Sequence, residues 1–174
     1  MASRKRIAAL ATVTAPLLLA LTVTTPAHAA GYTEIRFNGG YCLDVQNGNF
    51  SPGTPVQIWG CNGTDAQKWS IEYSDNTHFY VVASHYSGDK QPLCLNNWEG
   101  GDSQGNHLKL YYCKQSNAGD VLWNTTHWGG KVQLQPKVAV DNCLDAWGGL
   151  SQGAAARLYD CTLVVGVWSP TGAF

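Results

Sequence analysis

One unit is written three times along this chain of 174 residues. The first copy runs Cys42-Leu43-Asp44-Val45, Gly53, Val56-Gln57-Ile58-Trp59-Gly60-Cys61 and Gln67-Lys68-Trp69. The second runs Cys94-Leu95-Asn96-Asn97, Gly105, Leu108-Lys109-Leu110-Tyr111-Tyr112-Cys113 and Trp123. The third runs Cys143-Leu144-Asp145-Ala146, Gly153, Ala156-Arg157-Leu158-Tyr159-Asp160-Cys161 and Trp168. Within the copies the cysteines stand 19, 19 and 18 positions apart, and successive first cysteines are separated by 52 and 49. A unit of about 50 residues is too small to bury its own apolar face, so three must share one core around a pseudo-threefold axis.

The elements inside each unit read as strands. Val56 to Trp59 and Leu108 to Tyr111 alternate with period two, the pattern of a strand with one buried face. Tyr32 to Phe37, Phe79 to Ser84 and Lys131 to Val140 also read as strands, and glycine-rich segments between them read as turns. No convincing amphipathic helix is expected. Trp69, Trp123 and Trp168 are the candidates for the shared core, so the expected class is all-β with three lobes of roughly residues 32–80, 81–130 and 131–174.

Residues 1–29 read as a leader, leaving 30–174 as the mature domain. Arg4, Lys5 and Arg6 precede an uncharged run from Ile7 to Val23, and Ala27-His28-Ala29 fits a small-residue cleavage site. Read instead as a membrane anchor, that run is at the short limit, so export is the expectation, with no membrane insertion after cleavage. Losing three basic residues from a chain of formal charge −1 leaves −4, the wrong sign for a nucleic-acid partner. In an exported chain six cysteines imply three disulfides, for which sequence alone allows on the order of 15 pairings. The repeat selects one: Cys42 with Cys61, Cys94 with Cys113, Cys143 with Cys161.

These threefold Cys-Leu-Asp, Gln-x-Trp-x-Cys and Gln-x-Trp patterns resemble the ricin B-type lectins, over nearly all of residues 30–174. The resemblance implies a β-trefoil of twelve strands and a carbohydrate or glycoconjugate partner, in the style of actinobacterial members. A sugar asks for a carboxylate or amide to grip neighbouring hydroxyls and an aromatic ring for its C–H face. The first copy has this set: Asp44 as acceptor, Gln57 as donor and acceptor, and Trp59 two residues on, sharing a strand face with Gln57. In the family the matching positions line a galactose-type pocket. Gln67 matches the Gln of Gln-x-Trp, implying a supporting role in tying the copy to the barrel. The family's Asn before that Gln is here Ala66, with Asn62 and Asp65 as nearby substitutes.

The other copies depart from this pattern. In the second, Asn96 replaces Asp and Lys109 replaces Gln, with Tyr111 as the ring; it reads as scaffold, or as a site favouring an anionic sugar. In the third, Asp145 and Tyr159 survive but Arg157 replaces Gln, either pairing with Asp145 or donating to a ligand. Trp147 follows Cys143 by four residues and would widen the platform.

Gly149-Leu150-Ser151-Gln152-Gly153 imitates a hydrolase nucleophile elbow. Its counterparts Gly101-Asp102-Ser103-Gln104-Gly105 and Asn49-Phe50-Ser51-Pro52-Gly53 mark it as a repeated turn. Asp44 and Asp145 occupy equivalent places in different lobes, an unsuitable arrangement for a glycosidase pair. His78, His85, His107 and His127 show no metal-site spacing, so no metal and no cofactor are expected. The expectation is a secreted, non-enzymatic lectin. The alternatives are a trefoil that binds a protein with its sugar pockets decayed, or a carbohydrate-targeting accessory to polysaccharide degradation, with any enzyme on a separate chain.

Overall fold

A computed structural model of the protein describes residues 31–114, 118–169 and 171–174. The leader expected over residues 1–29 lies outside them. Eleven strands are assigned among the described residues: β1 (Arg36–Phe37), β2 (Tyr41–Val45), β3 (Val56–Gly60), β4 (Trp69–Tyr73), β5 (Phe79–Tyr86), β6 (Pro92–Asn97), β7 (Leu108–Tyr112), β8 (Leu122–Trp128), β9 (Lys131–Pro136), β10 (Asn142–Ala146) and β11 (Ala154–Asp160). The twelfth place is taken by Val167 and Trp168, which bridge Val132 and Arg36. A four-residue helical turn, Ala118–Val121, precedes β8.

All pairing is antiparallel. One sheet runs β1-β2-β3-β11-β10 and the other β7-β6-β5-β8-β9, with β4 on β5. The second strand pair of each copy, β2/β3, β6/β7 and β10/β11, has the same register, placing Asp44 opposite Gln57, Asn96 opposite Lys109 and Asp145 opposite Arg157. The expected disulfides tie those same pairs: Cys42–Cys61, Cys94–Cys113 and Cys143–Cys161. The sequence-expected strands at both ends are shorter than read. Only Arg36–Phe37 of the 32–37 stretch forms a strand, with Thr33 bridging Trp69, and β9 stops at Pro136, where Ala139 N–H turns back to the Pro136 carbonyl.

The three copies are stitched into a ring by three turn glycines. Gly53 N–H donates to the Leu110 carbonyl at 2.8 Å, Gly105 to Leu158 at 2.8 Å, and Gly153 to Ile58 at 2.9 Å. Each therefore reaches the central strand of another copy, and the third returns to the first. All three have φ between 80° and 88°, a region that glycine enters without the penalty a Cβ brings. The serine of the elbow-like sequence lies in this turn, where Ala154 N–H donates to the Ser151 carbonyl.

Inside the ring, Leu43, Ile58, Leu95, Leu110, Leu144 and Leu158 are fully buried in one cluster with Trp69 and Trp123. The indole N–H of Trp69 donates to the Leu43 carbonyl at 3.1 Å, and that of Trp123 to the equivalent Leu95 carbonyl at 3.0 Å, so neither large ring leaves a polar atom orphaned. Trp168 corrects the expectation: it is 45% exposed and lies beneath the Arg36 guanidinium, 5.3 Å from ring centroid to Cζ. Its bridge pairing explains this. Val167 pairs with Val132 and Trp168 with Arg36, and neighbouring extended residues face opposite ways, so with Val167 in the core Trp168 points outward.

Candidate functional site

In the first copy β2 alternates Leu43 and Val45 inward, leaving Asp44 on the opposite face. Its partner on β3 is Gln57, and Trp59 follows on that same face while Ile58 points to the core. Gln57 Nε2 donates to Asp44 Oδ1 at 2.9 Å, and Gln67 Nε2 donates to Asp44 Oδ2 at 3.1 Å. Each carboxylate oxygen thus holds one fixed donor and keeps acceptor capacity for a second. Burial pushes the Asp44 carboxyl above the ordinary aspartate value of 3.8, against the opposing pull of those two hydrogen bonds.

Gln67 is completely buried. Its Nε2 also reaches the Gly60 carbonyl at 3.0 Å, and its Oε1 accepts from Asn62 N–H at 2.8 Å. It fastens the loop after Cys61 to β3 and to Asp44 together and has no surface to offer a ligand.

Asp44, Gln57 and Trp59 open onto a cleft of about 620 Å³, with Asn62, Asp65 and Ala66 also in its wall. Asn62 Oδ1 is already taken by the backbone and hydroxyl of Thr64. Among the further wall residues that the sequence does not single out are Phe50 and His85, whose rings stack at 4.6 Å between centroids. Phe50 comes from the repeated turn and His85 from β5 of the second copy. The signal for Phe50 was its ring at a place where the other copies carry Asp102 and Leu150. For His85, which reads as an ordinary strand residue, no local signal exists.

The structure divides the remaining sequence-expected residues between two altered copies. In the second, Asn96 is buried, Tyr111 meets Trp98 edge-on at 5.8 Å, and Lys109 Nζ sits 4.4 Å above the Trp98 ring. In the third, Tyr159 meets Trp147 edge-on at 5.9 Å, and the two rings with Asp145 line a cleft of about 450 Å³. Arg157 stands opposite Asp145 in the ladder, yet its guanidinium lies over Trp147 at 5.1 Å. Asp145 Oδ1 instead accepts from Val165 N–H at 3.2 Å, and burial raises its pKa. Of the two possibilities for Arg157, pairing with Asp145 is not the one observed.

The aromatic positions are thus exchanged between copies. The first has its Trp on β3 at position 59 and Gln46 four residues after its first Cys; the others have Tyr on the strand and Trp at the later place. Each turn glycine lies under one of these indoles. A Cβ built on Gly53 would stand 3.5 Å from Trp98, on Gly105 3.3 Å from Trp147, and on Gly153 3.7 Å from Trp59.

Comparison with known proteins agrees with this architecture. The chain is 39% identical over 54 residues to serine protease 1 of Rarobacter faecitabidus, covering 31% of this chain and 9% of that protein. It is 25% identical over 107 residues to nigrin b of Sambucus nigra, covering 58% of this chain and 17% of that one. The chain therefore spans a small fraction of either relative. Among solved structures it is similar to the designed threefold-symmetric protein ThreeFoil, with a TM-score of 0.64, 24% identity, and coverage of 75% of this chain and 89% of the other. Residues 22–111, just over half the chain, match the model of the ricin-type β-trefoil lectin-like domain, and with three equivalent lobes and three equivalent disulfides the chain belongs to that family.

Proposed function

We propose that this protein is a secreted lectin that takes galactose-type or related sugars in the first-copy cleft. Family membership supports a carbohydrate-binding role. The observation that carries the finer reading is the doubly tethered carboxylate of Asp44 beside Trp59. Gln57 and Gln67 fix its plane before any ligand arrives, so two vicinal hydroxyls would meet oriented acceptors while the C–H face of the ring lies on the indole. Gln57 would add a polar contact and Gln67 would act only through Asp44. In the third copy Asp145, Trp147 and Tyr159 repeat the theme with a two-ring wall and supply the second site. In the second copy the buried Asn96 and the Lys109–Trp98 contact support a scaffold role.

Secretion is supported by the leader pattern and by three disulfides, which persist in oxidising compartments. The family to which the chain belongs is one of lectin-like binding domains, and Asp65, the other acid in the cleft wall, is engaged at 3.7 Å with His85. We therefore read the site as binding without chemistry. A panel of immobilised glycans, probed with the wild type and Asp44→Ala, tests this. Binding to galactose-type sugars that disappears in the variant supports the reading. Silence from folded protein with its disulfides intact overturns it in favour of a protein partner.

A further inference from the structure

A second cleft, of about 630 Å³, lies between the second and third copies and shares no residue with either sugar cleft described above. Its wall brings together Trp128 from β8, Gln135 from β9, Asn142 from β10, Asp102 from the turn of the second copy, and Asp141 and Asp160 from the third. The Trp128 ring is 58% exposed. No lysine or arginine lines the cleft.

This wall is rigidly built. Asp102 Oδ2 accepts from Val140 N–H at 2.9 Å and from Asp141 N–H at 3.1 Å, while its Oδ1 accepts from Asn142 Nδ2 at 2.7 Å. Gln135 Nε2 donates to the Val140 carbonyl at 2.8 Å, and Asp160 Oδ1 accepts from the backbone and hydroxyl of Thr162 at 2.8 and 2.7 Å. These bonds hold the Asp160 carboxyl below its usual range; they do the same for Asp102, where they outweigh burial. Both stay ionised at neutral pH.

Asn142 supplies the observation that points to a ligand. It is only 5% exposed, its amide is consumed by Asp102, and its Oδ1 has no hydrogen-bond partner. A buried acceptor without a donor is costly and asks for an N–H or O–H. Among the described residues no three His, Cys, Asp or Glu side chains converge tightly enough to hold a metal ion. A larger organic donor fits the spread of carboxylates better. An ammonium group is attracted to an indole face and to carboxylates alike, and the surrounding amides suit hydroxyls.

We propose that this cleft is a binding site for an amino sugar carrying a free ammonium, with Trp128 as the platform and the three aspartates as the charge partners. It differs from the first-copy site in demanding a cation and in being independent of Asp44. The N-acetylated form of the same sugar loses the charge that the site recognises.

The test is calorimetric titration of the disulfide-intact protein with the glucosamine trimer and with its N-acetylated counterpart. Wild type should bind the free amine at least about tenfold more tightly, with affinity falling as salt rises. Trp128→Ala should lose about tenfold and Asp141→Asn a few-fold. Both positions are solvent-exposed, so the second variant keeps the test decisive if the first fails to fold. Asp44→Ala should bind the amine as wild type does. The proposal is overturned if the trimer does not bind, if its N-acetylated form binds as tightly, if neither variant weakens it, or if Asp44→Ala abolishes it. Galactose binding in the same samples reads out the first-copy site separately.

Discussion

Gln67 has no solvent exposure, yet its Nε2 sits 3.1 Å from Asp44 Oδ2 in the wall of the first-copy cleft. Its influence on a ligand passes entirely through that oxygen. Gln67→Leu leaves Asn62 N–H, the Gly60 carbonyl and one Asp44 oxygen without their partner. We expect a loss of at least about 2 kcal/mol of stability by denaturant titration, because buried polar groups left unpaired cost that much. Sugar affinity should fall about tenfold in the fraction that folds. Asp44→Ala should instead remove binding with a smaller stability change.

Acid should weaken sugar binding. Burial raises Asp44 and Asp145, so each takes up a proton at a pH above the ordinary 3.8 and then presents a donor where hydroxyls need an acceptor. Affinity measured across pH should fall with a midpoint above that value. Stability carries the opposite sign at these two positions. A carboxyl whose folded pKa exceeds its unfolded one opposes folding while ionised, above the folded pKa, and that opposition is gone below the unfolded pKa. The effect of Asp44→Asn on melting temperature should therefore be more favourable at neutral pH than at about pH 3.

Three tryptophans at matching repeat positions should respond unequally to truncation. Trp69→Ala and Trp123→Ala each empty a fully buried site and should cost about 3–5 kcal/mol. Trp168→Ala removes a surface ring under Arg36 and should cost about 1 kcal/mol or less. Thermal or denaturant unfolding of the three variants compares them directly; equal losses would contradict the packing described.

Gly153→Ala places a methyl group at φ 80° and close beneath Trp59. The left-handed backbone alone costs about 1–2 kcal/mol for a residue with a Cβ. Because the indole of the first copy rests on a turn of the third, sugar affinity at the first-copy site should fall with stability. Gly105→Ala, under Trp147, should leave that affinity close to wild type while costing similar stability.

The fold was legible because a single pattern recurred. The threefold repeat assigned Cys42–Cys61, Cys94–Cys113 and Cys143–Cys161, and the alternation of Val56 to Trp59 oriented Gln57 and Trp59. Trp168 was misplaced because alignment of repeats matches residue types, whereas the face a residue presents is set by its pairing partners. In the third copy Val167 takes the inward face and Trp168, bridged to Arg36, the outward one. Phe50 and His85 escaped for another reason: they meet only when the second copy folds against the first. The contact of Arg157 with Trp147 rather than with Asp145 follows from competition that the ladder register, by itself, does not decide.

The glycine turns have a consequence for how the molecule comes apart. Gly53, Gly105 and Gly153 hand the chain from copy one to two, two to three and three to one, so no copy is terminal in space although two are terminal in sequence. A fragment of two copies would carry one unanswered donor turn and one unanswered central strand. Cleavage between copies should therefore give pieces that remain associated under native conditions, and separately expressed pieces should reassemble when mixed, with a third copy acting as the keystone for the other two.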